Sequence, residues 1–202
     1  VYLWYHPQTG IWLGATPETL IDIKNQQLKT MALAGTQTAE SIDKVQWQAK
    51  EIQEQQYVVD AMQAALTNYT ESLTVSERQT VQAGNIFHLK TDFEATLKKH
   101  QFINLLEELH PTPAVCGIPR DKAKAFISQY ENYQRSLYTG YLGYVNIEND
   151  RLETNLQVNL RCMQKNLEGY TIFVGGGITA DSDPQQEWEE TIAKAQTMLQ
   201  VL

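Results

Sequence analysis

Residues Gly175-Gly176-Gly177-Ile178-Thr179-Ala180-Asp181-Ser182-Asp183-Pro184-Gln185-Gln186-Glu187-Trp188-Glu189-Glu190-Thr191 set an anion-binding element directly before a helix that carries candidate cation ligands. Three consecutive glycines can turn at positive φ and offer adjacent N–H groups as a concavity for a carboxylate. Asp183 is a good N-cap and Pro184 suits the first helical position, so the spacing predicts a helix from about residue 184 to the end. At ~100° per residue, Trp188, Ile192, Ala195, Leu199 and Leu202 form one apolar stripe, while Glu187, Glu190 and Lys194 share another face. Oxygen ligands at that spacing suit Mg²⁺, which takes one or two protein carboxylates and leaves its other positions to water and substrate. A solvated charged face is the competing reading of the helix alone.

The chain has 202 residues and a net charge of −8, enough for one sizeable core and unsuited to tracking nucleic-acid phosphates. Cys116 and Cys162 have no metal-ligand spacing, which fits an unbridged fold in a reducing cytoplasm. No signal peptide and no apolar run near membrane-spanning length is present, so nothing is expected to span a membrane. Val1-Tyr2-Leu3-Trp4-Tyr5-His6 lacks an initiator Met and reads at once as a strand; the true start is expected upstream.

Segments 1–6, 10–15, 19–24 and 27–34 read as an antiparallel meander. Within it, Glu18 follows the turn Gly14-Ala15-Thr16-Pro17, where it is either a fixed general acid or a solvated loop residue. Gly35 could bring backbone close to a ligand. A helix is expected over 43–68, with Glu54 in line with Val58, Ala61 and Ala65 and therefore partly buried, needing a metal or a salt bridge. Residues 67–82 read as a loop or a short surface helix. A strand at 86–89, a helix at 98–109, the rigid loop His110 to Arg120 and a helix at 119–130 follow. His110 reads as a satisfied structural histidine. The last strands are expected at 140–147, 154–163 and 169–175. In the middle one Leu156, Val158, Leu160 and Cys162 face one way, and Asn155, Gln157, Asn159 and Arg161 the other. Arg161 is a carboxylate clamp if that polar face meets the glycines, and an exposed arginine if it does not.

In this order and spacing, Gly14 to Glu18, Leu33 to Thr36, Lys50 to Glu54, Phe87-His88-Leu89, His110 to Pro119, Leu160-Arg161-Cys162 and Gly175 to Lys194 resemble the chorismate-utilising enzymes. Within them they resemble the isochorismate synthases. The resemblance implies an α+β fold of stacked, largely antiparallel β-sheets flanked by helices, and a Mg²⁺-bound dicarboxylate substrate, chorismate. It implies that Glu54 and Glu190 ligate the Mg²⁺, with Glu187 acting through water, and that Glu18 is the general acid for the departing C4 hydroxyl. Gly35, Thr36, Arg161, Gly175 and Lys194 would hold the substrate carboxylates, with His88 and Ala114 lining the pocket. Ala114 favours isochorismate synthases, because anthranilate and aminodeoxychorismate synthases tend to carry threonine there.

The implied reaction adds water at C2 as the C4 hydroxyl leaves, for menaquinone or siderophore biosynthesis. A salicylate synthase or an anthranilate or aminodeoxychorismate synthase component is the alternative reaction, and a non-catalytic chorismate-binding module the alternative class. The family pattern has a histidine where Gln55 stands, an arginine at Gln37, and a smaller stretch at Thr139-Gly140-Tyr141. Its water-activating lysine lies well upstream of the Glu18 position. The general base is therefore expected upstream of residue 1, residues 1–202 are expected to be the C-terminal portion of a single chorismate-binding domain, and the isolated chain is expected to be inactive or nearly so.

Overall fold

The alternating residues at the start of the chain build two hairpins that belong to different sheets, not one meander. The computed structural model describes residues 1–202. β1 (Tyr2–His6) pairs with β2 (Gly10–Gly14), and β3 (Thr19–Lys24) pairs with β4 (Gln27–Gln37). Asn25 and Gln26 join the second pair at φ 51° and 66°, the two-residue turn whose twist matches its strands. Between the hairpins the chain changes sheets, because Pro17 cannot donate to a ladder.

The larger sheet runs β5 (Thr70–Val75), β7 (Ile86–Leu97), β4, β3, β9 (Arg151–Val158), β8 (Tyr141–Glu148), with β6 (Gln79–Ala83) on the same edge of β7 as β5. All its pairings are antiparallel. Residues 70–83 are thus two strands, not loop or surface helix; their many Ser, Thr and Gln side chains hid a period-2 pattern at a sheet edge. The smaller sheet runs β1, β2, β10 (Cys162–Lys165), β11 (Tyr170–Phe173).

The strand expected over 154–163 is broken. It leaves the larger sheet at Val158 and enters the smaller at Cys162, with Arg161 at φ 46°. The expected alternation therefore holds only as far as Val158, and both Asn159 and Arg161 are buried in the crossing. This break runs beside the β2–β3 crossing. Ala15 N–H donates to Arg161 O at 3.1 Å, Val158 N–H donates to Glu18 O at 3.0 Å, and the Thr16 hydroxyl donates to Val158 O. Two neighbouring strands changing sheets side by side open a seam, and Glu18 and Arg161 lie in it.

α1 (Ala49–Tyr69), begun by the Gln48 N–H on the Glu51 carboxylate, lays Val58, Val59, Met62, Ala65 and Leu66 into the main core. α2 (Phe102–Leu109) adds Phe102, Leu105, Leu106 and Leu109, and burial of such side chains is the main force holding these elements together. A second cluster, Trp12, Tyr138, Cys162 and Phe173, fills the smaller sheet. α3 (Arg120–Tyr130) buries no residue.

α4 (Pro184–Leu199) begins as its cap signals require, with Asp183 accepting from the N–H groups of Gln185 and Gln186 at 3.1 and 3.0 Å. It then docks the unusual way round. Its apolar stripe points outward, Trp188 being 62% exposed, while Glu187 is buried. The period says which residues share a face; partners elsewhere decide which face turns inward. No helix is long and apolar enough to cross a membrane.

Candidate active site

The seam between the sheets is the floor of an open cleft. Glu18, Gly35, Thr36, Glu54 and His88 line it from one side; Ala114, Arg161, Gly175 and Lys194 complete it. Glu187 and Glu190 stand behind Gly176. The residues singled out in the sequence are thus brought together from seven separate segments.

Glu18 is 3% exposed. Burial pushes its carboxyl up to about 8, with the Thr112 hydroxyl at 3.5 Å and the Lys194 charge acting weakly the other way. A carboxyl with that pKa keeps its proton at neutral pH, which is the state a general acid needs. It is not the solvated loop residue.

Gly35 interrupts β4 as a bulge at φ 70°, shifting the register against β7 between Ala34 and Thr36. The bulge turns the Gly35 carbonyl onto His88 Nδ1 at 2.9 Å. A carbonyl only accepts, so Nδ1 carries the proton, and Nε2 accepts from the Arg161 guanidinium. Burial, with Arg161 and Lys194 adding to it, holds His88 down to about 4, so the imidazole is neutral. Arg161 also donates to Ala83 O at 3.0 Å. The guanidinium is therefore fixed from two sides within the cleft and is not an exposed arginine.

The glycine triplet works through space, not through backbone freedom. None of Gly175, Gly176 and Gly177 adopts positive φ, contrary to the turn expected from their sequence. A Cβ at Gly177 would lie 2.6 Å from Glu54 Oε1, one at Gly176 would lie 3.2 and 3.3 Å from Glu190 Oε1 and Glu187 Oε2, and one at Gly175 would lie 2.9 Å from the Tyr138 hydroxyl. Two successive glycines thus touch three carboxylates. Burial and the neighbouring Glu190 raise Glu54 to about 7, against Lys194, the Gly35 N–H and Lys50.

As the side chains stand, no three acidic, His or Cys groups adopt metal-ligating geometry. Lysines hold two of the three carboxylates: Lys194 donates to Glu190 at 2.7 Å and to Gly175 O at 2.9 Å, and Lys50 pairs with Glu187 Oε1. Glu187 Oε2 is buried with no hydrogen-bond partner. An orphaned carboxylate oxygen among three acidic groups is the donor set a hard divalent cation satisfies.

Tyr138 and Arg135 also line the cleft, and the sequence reading missed both. Tyr138 stacks on Phe173 at 5.4 Å between ring centroids, and Arg135 ties Glu131 to the carbonyl of Val115. They lie in a helix-to-strand connection without periodicity, so only the aromatic before the Thr139-Gly140 turn was a signal. Gln55 is fully buried and satisfied by Thr91 and Arg78, so the glutamine is a structural post in this chain. His110 is not satisfied: its Nδ1 is buried without a partner, and its ring meets Tyr141 edge-on.

The chain and its fold have relatives. The chain is 32% identical to the isochorismate synthase DhbC of Bacillus subtilis over 94% of its own length and 50% of the relative's. It superposes on MenF, the menaquinone-specific isochorismate synthase of Escherichia coli, with TM-score 0.81 and 31% identity, covering 94% of this chain and 46% of that one. Anthranilate synthase component I of Streptococcus pneumoniae gives TM-score 0.78 and 26% identity, covering 98% and 46%. The chain spans about half the length of the curated relatives it matches. The family model for chorismate binding enzymes matches residues 1–202, and this chain belongs to that family.

Proposed function

We propose that this protein converts chorismate to isochorismate, adding water at C2 as the C4 hydroxyl departs, in a Mg²⁺-dependent reaction. The observation that carries the reading is Glu18, a buried carboxyl that keeps its proton at neutral pH in a cleft otherwise lined by groups suited to carboxylates. The Glu18 carboxyl gives its proton to the leaving hydroxyl oxygen, and the water that adds at C2 gives up a proton to the base that the family resemblance implies, a lysine outside the residues named in this cleft. Arg161 and Lys194, with backbone at Gly35, Thr36 and Gly175, hold the substrate's carboxylates, and His88 keeps the Arg161 fork in place. Glu54 and Glu190 would ligate Mg²⁺, with Glu187 reaching it through water; when bound, the ion supplies positive charge to a substrate carboxylate. Residues 1–202 are read as part of one chorismate-binding domain. Cys116 and Cys162 are free, in line with the reducing cytoplasm this reading assumes.

The fold is shared with an anthranilate synthase component, so the architecture does not choose the nucleophile. Ala114, at the cleft wall, favours water over ammonia by the family resemblance. The pathway is one that feeds menaquinone or a siderophore. The test is incubation of the full-length protein with chorismate, Mg²⁺ and ammonium, followed by product separation. Isochorismate is the expected product; anthranilate or aminodeoxychorismate as the main product would overturn the reading.

A further inference from the structure

Lys50 opens α1, and its ammonium meets Glu187 of α4 across 137 residues of sequence. Both side chains are withdrawn from water, at 14% and 9% exposure. The contact is one-sided: Lys50 takes Oε1, whereas Oε2 is buried, unpartnered and turned to the Gly176 backbone, where Glu190 also arrives. Glu54 and Glu190 lie within the reach of the same ammonium charge. Beside Lys194, which holds Glu190, another cation thus already stands where three carboxylates meet.

We propose that Lys50 is the resident counter-cation of the divalent-cation site. It offsets the repulsion among Glu54, Glu187 and Glu190 while the site is empty. Its charge also sets the affinity of the site, because a second cation must bind within a few ångströms of it. The cation alone therefore binds weakly, and binding tightens when a dianionic substrate brings compensating negative charge; by linkage the cation improves substrate affinity by the same factor. This deepens the reading of the three glutamates as a cation site and rests on it.

The experiment is titration of Mn²⁺ into wild type, Lys50→Gln and Lys50→Arg without substrate, with free Mn²⁺ read by electron paramagnetic resonance. Glutamine keeps a donor for Glu187 Oε1 and removes the charge. Lys50→Gln should bind Mn²⁺ roughly 10-fold tighter or more, Lys50→Arg should match wild type, and the melting temperature of Lys50→Gln should be lowered without metal and restored by it. A purely structural role predicts the opposite, weaker Mn²⁺ binding in step with lost stability. Equal or weaker binding by Lys50→Gln, with saturable binding by wild type, overturns the proposal. Absence of saturable binding in all three overturns the cation site itself, and this proposal with it. A second measurement needs no variant: acylation of wild-type lysines, read by peptide mass spectrometry, should speed up at Lys50 when Mg²⁺ is added. An unchanged rate at saturating Mg²⁺ counts against the proposal.

Discussion

Glu18 and Glu187 are carboxylates withdrawn from water to nearly the same degree, at 3% and 7% exposure, and the protein treats their charge in opposite ways. No cation contacts Glu18, so burial raises its pKa and it stays protonated. Glu187 has Lys50 against one oxygen, so its charge is compensated by an ammonium brought from α1. Desolvation alone does not decide what a buried carboxyl becomes; the partner does. One cleft can therefore hold a protonated carboxyl on the seam between the sheets and a lysine-paired carboxylate on α4.

Breaking the Lys50–Glu187 pair is the largest expected effect. Lys50→Met leaves a buried carboxylate without its cation, which should cost about 3 kcal/mol or more in metal-free urea unfolding. The double variant Lys50→Met/Glu187→Met removes the stranded charge and should recover most of that loss.

Glu18 gives the second effect, through pH. Its folded-state pKa of about 8 lies above the ordinary 4.5. Its stabilising contribution is therefore full below about 4.5 and is lost as pH rises through 8, at up to about 1.4 kcal/mol per pH unit. Glu18→Gln should flatten that part of the stability–pH curve and be more stable than wild type at the alkaline end. Equal slopes for the two proteins would mean that Glu18 is ionised in the fold.

Gly177→Ala sharpens the contrast between stability and function. The added Cβ would press on Glu54 Oε1, the mobile end of a side chain. The expected stability loss is small, under about 1 kcal/mol, within the range of ordinary substitutions. Mg²⁺-dependent chorismate binding, measured by calorimetry, should nonetheless fall sharply because Glu54 is displaced. The smallest effect is expected at an exposed pair: Lys29 bonds Glu94 at 2.7 Å with 67% and 62% of the side chains in water, and Lys29→Met should leave the urea-unfolding midpoint unchanged.

The motifs lead to residues that line the cleft because several of them sit at points where local rules bend. Gly35 marks a bulge, Pro17 a change of sheet, and Asp183-Pro184 a helix start, and all three left compositional signals. The break after Val158 left none, because Leu160 and Cys162 continue the apolar alternation of a strand that has already ended. Residues 70–83 were illegible for the reverse reason, since an edge strand need not carry an apolar face. The outward apolar stripe of α4 could not be foreseen: the face turned inward carries Glu187, whose partner Lys50 lies 137 residues away. The same holds for Tyr138, which reaches the cleft as part of the second cluster, and for Arg135, which lies over its ring.

The central claim is that Glu18 holds its proton at neutral pH inside a cleft built for charge. Isotope-edited infrared spectroscopy of the protein, with Glu18→Gln as the reference, measures this directly. The account expects a protonated-carboxyl band that is missing from Glu18→Gln, persists at pH 7 and titrates with a midpoint near 8. Loss of that band with an ordinary midpoint near 4.5 would contradict it.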